Sequence, residues 1–322
     1  MPRNYSIDLI KIIAMYMVIL LHVGVCRNFH AFQYLPATFT IAGIAIPMFF
    51  MVSGYLLSSK ASNEISFSYC IKKIWRILKF CIIICTVFDV IKYVTRHELE
   101  LSFPHCLIKK GSFSVFWYFG AMIVIYLILP LLMRIINHKY YDKTILIFAV
   151  SCFILFGLNY FYGIENKIPN TFRLLNWVTY FLLGAYINRY HNKLPSIKWY
   201  YPIISGIMFS LSVIFGRQPS YELHFSSPLC MAYAISTFCF IIHYQIKDNI
   251  VIKSLASCFL SIYALHLSII WRLYEMPILY MIESKCSPII GLTFGYIICT
   301  IVCTMVCFII MKIPYMDRIF KI

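Results

Sequence analysis

The chain has 322 residues, of which 61% are hydrophobic and 12% charged, and its mean hydropathy is +0.81. So much apolar surface does not fit inside a soluble domain of this length, so lipid is the solvent for most of it. The net charge of +16 is spread over short connectors rather than gathered on one soluble face, which excludes a nucleic-acid-binding domain.

Ten segments are apolar and long enough to cross a bilayer, at ~20 residues per helix. They lie near 7–26, 41–59, 77–95, 114–135, 144–162, 172–189, 199–216, 226–245, 254–271 and 288–312. The predicted fold class is an all-α integral membrane protein, a single bundle of about ten transmembrane helices. With the N-terminus inside, Lys and Arg divide into 17 on the inner side and 10 on the outer, leaving Lys11 within the first span. The positive-inside rule then predicts both termini in the cytoplasm. The first span carries Lys11, lacks a convincing small-residue cleavage site and is followed by nine more, so it is read as retained rather than as a signal peptide. No internal repeat or low-complexity tract is visible. The longest connectors, about 96–113 and 272–287, leave any chemistry to the bundle itself.

In the first span, His22 is an ionisable side chain at membrane depth, a costly placement that usually marks function. Eleven residues at ~100° each bring Lys11 onto the same face, ~16 Å away along the axis. Asp8, three residues before Lys11, shares that stripe and can pair with it. It lies too far from His22 to touch it.

The second span contains Pro47, Ser53 and Gly54. The small pair suits close helix packing; alternatively Gly54 opens space beside the polar stripe of the first helix. At the inner mouth of the third span stand Lys72, Lys73, Arg76 and Lys79. These cations suit anchoring to anionic lipid heads, while Lys73 and Arg76, three apart on one face, also make a clamp for a phosphorylated ligand. Asp89 lies near the outer end of that span, with no partner readable from the sequence.

Trp117 and Tyr118 open the fourth span at the outer interface, as belt aromatics or as a platform for a sugar. Asn176 to Tyr186 reads as a packed span with a contact at Gly184. Ser261-Ile-Tyr263-Ala-Leu-His266 puts a second histidine inside the ninth span, at a depth matching His22, so both rings can face one cavity. Arg272, Glu275 and Glu283 follow in an outer connector, where solvated pairing is expected. Cys299, Cys303 and Cys307 share one face of the last span, either as small apolar packing or as a soft metal site. Cys106 and Cys286, in different outer connectors, are able to pair.

Together these segments resemble the acyltransferase 3 family, multi-span membrane acyltransferases that modify bacterial surface glycans. The family's leucine-aspartate-x-x-arginine opening, with a histidine further in, matches Ile7-Asp8-Leu-Ile-Lys11 and His22. Its phenylalanine-rich serine-glycine stretch matches Phe49-Phe50-Met-Val-Ser53-Gly54. Its Arg-x-x-Arg-Ile motif falls on Lys73-Ile-Trp-Arg76-Ile77. Trp117-Tyr118 and Tyr263-Ala-Leu-His266 match its later motifs. Lys stands for Arg at positions 11 and 73, with loss of the bidentate fork. The resemblance runs from about 4 to 310 and treats 1–322 as one transmembrane domain of the stand-alone form, with no appended esterase-like domain.

The resemblance implies transfer of an acyl group, acetyl being the commonest, from cytoplasmic acyl-CoA to a hydroxyl of a surface polysaccharide or lipid-linked glycan, in the bacterial cytoplasmic membrane. His22 and Asp8 form the catalytic set, with Asp8 holding Lys11. Lys11, Lys73 and Arg76 receive the CoA phosphates, and His266, Ser53, Trp117 and Tyr118 are secondary candidates. No metal is expected, and the partners are the glycan or glycolipid acceptor and membrane lipids. His22 acts as general base or as a nucleophile that carries the acyl group. A polysaccharide or glycolipid exporter without chemistry is the competing class, although the two halves show no paired Gly/Pro-broken helices.

Overall fold

The structure, a computed structural model, describes residues 3–26, 36–60, 64–98, 100–108, 113–215, 224–244, 246–276, 285 and 287–320. Their helices are α1 (Tyr5–Cys26), α2 (Pro36–Gly43), α3 (Ala45–Ser58), α4 (Phe67–Arg96), α5 (Trp117–Asn137) and α6 (Tyr141–Tyr162). They continue with α7 (Leu174–Tyr190), α8 (Tyr200–Ile214), α9 (Pro228–His243), α10 (Ile250–Ser257), α11 (Phe259–Tyr274), α12 (Pro288–Lys312) and α13 (Met316–Ile319). No strand occurs among the described residues.

Local signals set several ends. The Ser66 hydroxyl accepts from the Tyr69 amide at 3.1 Å and starts α4. The Asn249 side chain caps α10 through the amides of Val251 and Ile252. Gly163, at φ +57, closes α6 in the left-handed conformation that glycine adopts without steric cost.

Helix occupies each of the ten stretches expected from the sequence. Among the described residues, five helices are long and apolar enough to cross a membrane, or six if the bent α10–α11 pair is one span. The remaining four fall short for two reasons. α7, α8 and α9 have 17, 15 and 16 residues, whereas a helix needs ~20 to cover a ~30 Å hydrocarbon core. α4 has the length, at 30 residues, but Lys79, Asp89 and Lys92 interrupt its apolar stretch. The molecule is an all-helical membrane protein.

α1 is central, packing against α2, α3 and α9 to α12. Its start is tied to the α9–α10 connector: the Tyr5 hydroxyl bonds Asp248 and the Ser6 hydroxyl bonds the Tyr244 carbonyl. α3 and α7 form the tightest helix pair. A Cβ on Gly54 would sit 1.9 Å from the Phe181 carbonyl oxygen, and one on Gly184 the same distance from that of Met51. Gly54 therefore faces α7, and the alternative in which it opens space beside α1 is not what the fold does. α10 and α11 meet at a 58° bend.

Candidate functional site

The two membrane histidines are in contact. Their ring centroids lie 4.8 Å apart, edge to face at 65°. His266 is completely buried and His22 half-buried. Backbone carbonyls only accept, and this fixes both neutral tautomers. His266 Nδ1–H donates to Tyr263 O at 2.7 Å and Ile262 O at 3.2 Å, so its Nε2 carries the lone pair. That Nε2 faces His22 Nδ1 at 3.3 Å. His22 Nδ1–H donates to the Val18 carbonyl at 2.8 Å as well. In the neutral ring the basic nitrogen of His22 is therefore Nε2.

Around this pair lies an aromatic layer from α3, α5 and α11. The Tyr263 ring is 5.9 Å from His266 and 5.8 Å from Tyr118, and its hydroxyl donates to Val115 O at 2.7 Å. Phe49 packs on both tyrosines. The Tyr118 hydroxyl meets Ser53 Oγ at 3.3 Å. Ser53 and Gly54 thus turn opposite ways, the hydroxyl toward this layer and the glycine toward α7. His22, His266, Ser53 and Tyr118 come together in one region of the bundle.

Trp117 does not join them. It is buried in the interior, and its ring packs 5.2 Å from that of Trp177 at a tilt of 36°.

A second charged group lies at the start of α1. Asp8, almost fully buried, accepts from Arg3 Nε at 2.5 Å and Lys11 Nζ at 3.3 Å. Asp8 thus holds Lys11, as its spacing predicts, and Arg3 is a partner that spacing does not reveal. On α4, Lys73 is half-buried and Arg76 exposed. Burial, then the charges of Arg76 and Lys60, push the Lys73 ammonium below its ordinary value. Such a trio of cations is stabilised by an anion placed among them.

Other polar residues find structural partners. Asp89 accepts from Ser102 N at 2.9 Å and Ser102 Oγ at 2.6 Å, anchoring the connector after α4. Glu165, buried in the turn after α6, accepts from Asn159 and from Asn176 Nδ2 at 2.7 Å. Burial raises its carboxyl above the ordinary range despite Arg173. Sequence reasoning missed this cluster, although the asparagines flanking Glu165 in an apolar chain were a signal. Cys286 and Glu283 lie outside the described residues; Cys106 is a buried free thiol 3.6 Å from Cys85. Cys299, Cys303 and Cys307 are wholly buried, and no cluster suited to a metal ion occurs among the described residues.

A family model described as an acyltransferase domain matches residues 4–312, nearly the whole chain. The chain belongs to the acyltransferase 3 family. Within this acyltransferase domain the histidine pair occupies α1 and α11, near the two ends of the match. A relative from Enterococcus faecalis named amino-acid racemase is 25% identical over 292 residues. That stretch is 82% of this chain and 40% of the relative, so the chain spans less than half the relative's length. No solved structure matches.

Proposed function

We propose that this acyltransferase 3 domain moves an acetyl group from cytoplasmic acetyl-CoA to a hydroxyl of a surface polysaccharide or lipid-linked glycan. The site is in the bacterial cytoplasmic membrane. The observation that carries the reading is the His22–His266 contact inside the bundle. An imidazole whose Nδ1–H is held by Val18 O and His266 Nε2 presents Nε2 as a base, and an alcohol needs one because it is a weak acid at neutral pH.

In this reading the chain crosses the membrane ten times, both termini are cytoplasmic, and residues 1–322 act as one domain. The helical state of all ten stretches and the excess of Lys and Arg on the inner side support it. Arg76, Lys73 and Lys11 then meet the CoA phosphates at the inner end of the bundle, and Asp8 positions Lys11. The thioester reaches His22 ~16 Å further along α1.

His22 Nε2 takes the proton of the acceptor hydroxyl as its oxygen attacks the thioester carbonyl. The C–S bond then breaks, and the imidazolium returns its proton to the departing CoA thiolate. His266 Nε2 accepts from Nδ1 throughout and supports the cation formed in between.

Radiolabelled acetyl-CoA supplied to membranes, with the surface glycan as acceptor, tests the reading. Label should pass to the glycan and be lost in His22→Ala at equal expression. Undiminished transfer in that variant removes His22, and glycan translocation without label makes the protein an exporter. Label retained on His22 when acceptor is withheld replaces the general-base route with an acyl-imidazole.

A further inference from the structure

A cavity of about 530 Å³ lies between α4 and α11, closed at the back by Phe113 and Ser114. Along α11 its lining starts at Leu267 and Ser268, next in the chain to His266, and climbs to Glu275 just past the helix end, a rise of ~12 Å. On α4 it climbs in parallel from Phe88 to Arg96. The residue after Ser114, Val115, holds the Tyr263 hydroxyl. The floor of the cavity therefore adjoins the layer that carries the histidine pair, although neither ring lines it.

The mouth has a specific charge pattern. Glu275 accepts from Arg96 Nη2 at 3.0 and 3.2 Å, across the gap, and from Arg272 Nη1 at 2.7 Å. One carboxylate thus serves two guanidiniums. The other carboxylate in the lining, Asp89, is engaged by Ser102, and Lys92 is paired with Glu100. At the mouth itself two guanidiniums share one carboxylate, a local surplus of one positive charge that the Asp89 carboxylate deeper in the lining offsets over the cavity as a whole. Arginine presents a planar fork of donors, and two of them suit a shared oxyanion. Beside them Trp271 is half exposed, and its indole offers a flat apolar face with a polar edge, as a sugar ring requires.

We infer that this cavity receives the acyl acceptor, and that the acceptor is a hydroxylated sugar bearing an oxyanion, carboxylate or phosphate, which Arg96 and Arg272 bind. The word acceptor rests on the acyltransferase reading above; the anion site itself does not. The ligand's charged group sits at the mouth, the sugar lies on Trp271, and its hydroxyl end points down toward the histidines.

The test uses the whole protein in nanodiscs of zwitterionic phosphatidylcholine, without acyl-CoA, titrated by saturation-transfer NMR with glucuronate, glucose 6-phosphate and glucose. At least one anion should bind about tenfold more tightly than glucose. Glucuronate alone doing so identifies a uronic acid, and the phosphate alone identifies a sugar phosphate. The Arg96→Gln/Arg272→Gln pair should bring the ratio to about one, and Glu275→Gln, which releases both guanidiniums, should raise anion affinity severalfold. These three side chains are 41%, 62% and 46% exposed, and the two changes act in opposite directions, so misfolding cannot imitate the pattern. Equal binding of all three sugars, or an anion preference that survives in the double variant, overturns the inference. A protein that prefers anions yet transfers no label keeps the cavity and loses the acyltransferase reading; label transfer without anion preference does the reverse.

Discussion

The α3–α7 seam and the α4–α11 gap are opposite solutions to placing two helices side by side. At the seam Gly54 and Gly184 let each backbone approach the other until no side chain fits between. At the gap the helices are bridged by Arg96 and Glu275, whose long side chains keep a space below them. The histidine pair lies between the two, with Ser53 of α3 on one side and the residues after His266 on the other. A rigid wall against an accessible one is what a site needs when one substrate must be held still and another admitted. The small residues of the seam and the Arg272–Glu275 pair of the gap were readable in the chain; the bridge from Arg96 was not.

The seam should be the less forgiving. Gly184→Val puts carbon where the Met51 carbonyl stands and should cost ~4 kcal/mol or more, in the exceptional range for one substitution. The folded, monodisperse fraction in mild detergent measures it, and near-normal recovery would show that the helices separate easily. Next comes the ring between the two regions. His266→Leu removes the acceptor facing His22 Nδ1 and should lower acyl transfer about 100-fold, with the donor Michaelis constant unchanged. His266→Gln, which keeps an acceptor, should recover part of the loss, and equal failure of both variants would reduce His266 to packing.

At the gap the effects on stability should be small. Arg96→Gln breaks an exposed ion pair and should change the melting free energy by no more than ~1 kcal/mol; a larger loss would make the bridge structural. The smallest effect is on pH. Bonds from Arg96 and Arg272 hold the Glu275 carboxyl below its usual 4.5. A depressed acid contributes fully above its unfolded value and loses that contribution as pH falls through the folded one. The difference in melting temperature between the native protein and Glu275→Gln should thus be constant above about pH 5 and vanish in stronger acid. A difference that grows on acidification would contradict the pairing.

What was legible follows from the regularity of helices. Hydrophobic runs located all ten segments, and a constant rise of 1.5 Å per residue was enough to match the depths of His22 and His266. Spacing likewise put Asp8 against Lys11. Properties that depend on which helices converge stayed hidden. Asp89 reaches Ser102 through a folded connector, Glu165 gathers Asn159 and Asn176 from two helices, and Trp117 turns inward because Trp177 is there to meet it. Arg272 and Glu275 read as an ordinary surface pair because Arg96, 179 positions away from Glu275 in the chain, completes them. Helix ends were not legible either, since α7 to α9 are shorter than the apolar runs that contain them.

The 58° elbow at Cys258 separates a segment with no buried side chain, α10, from one whose angular phase is dictated by His266. An extra residue inserted before the elbow shifts a segment that lies against α1 but buries no side chain of its own. One inserted after it swings the imidazole by ~100° about the helix axis, away from its partner. Length variation in this stretch should therefore be tolerated upstream of Cys258 and punished downstream.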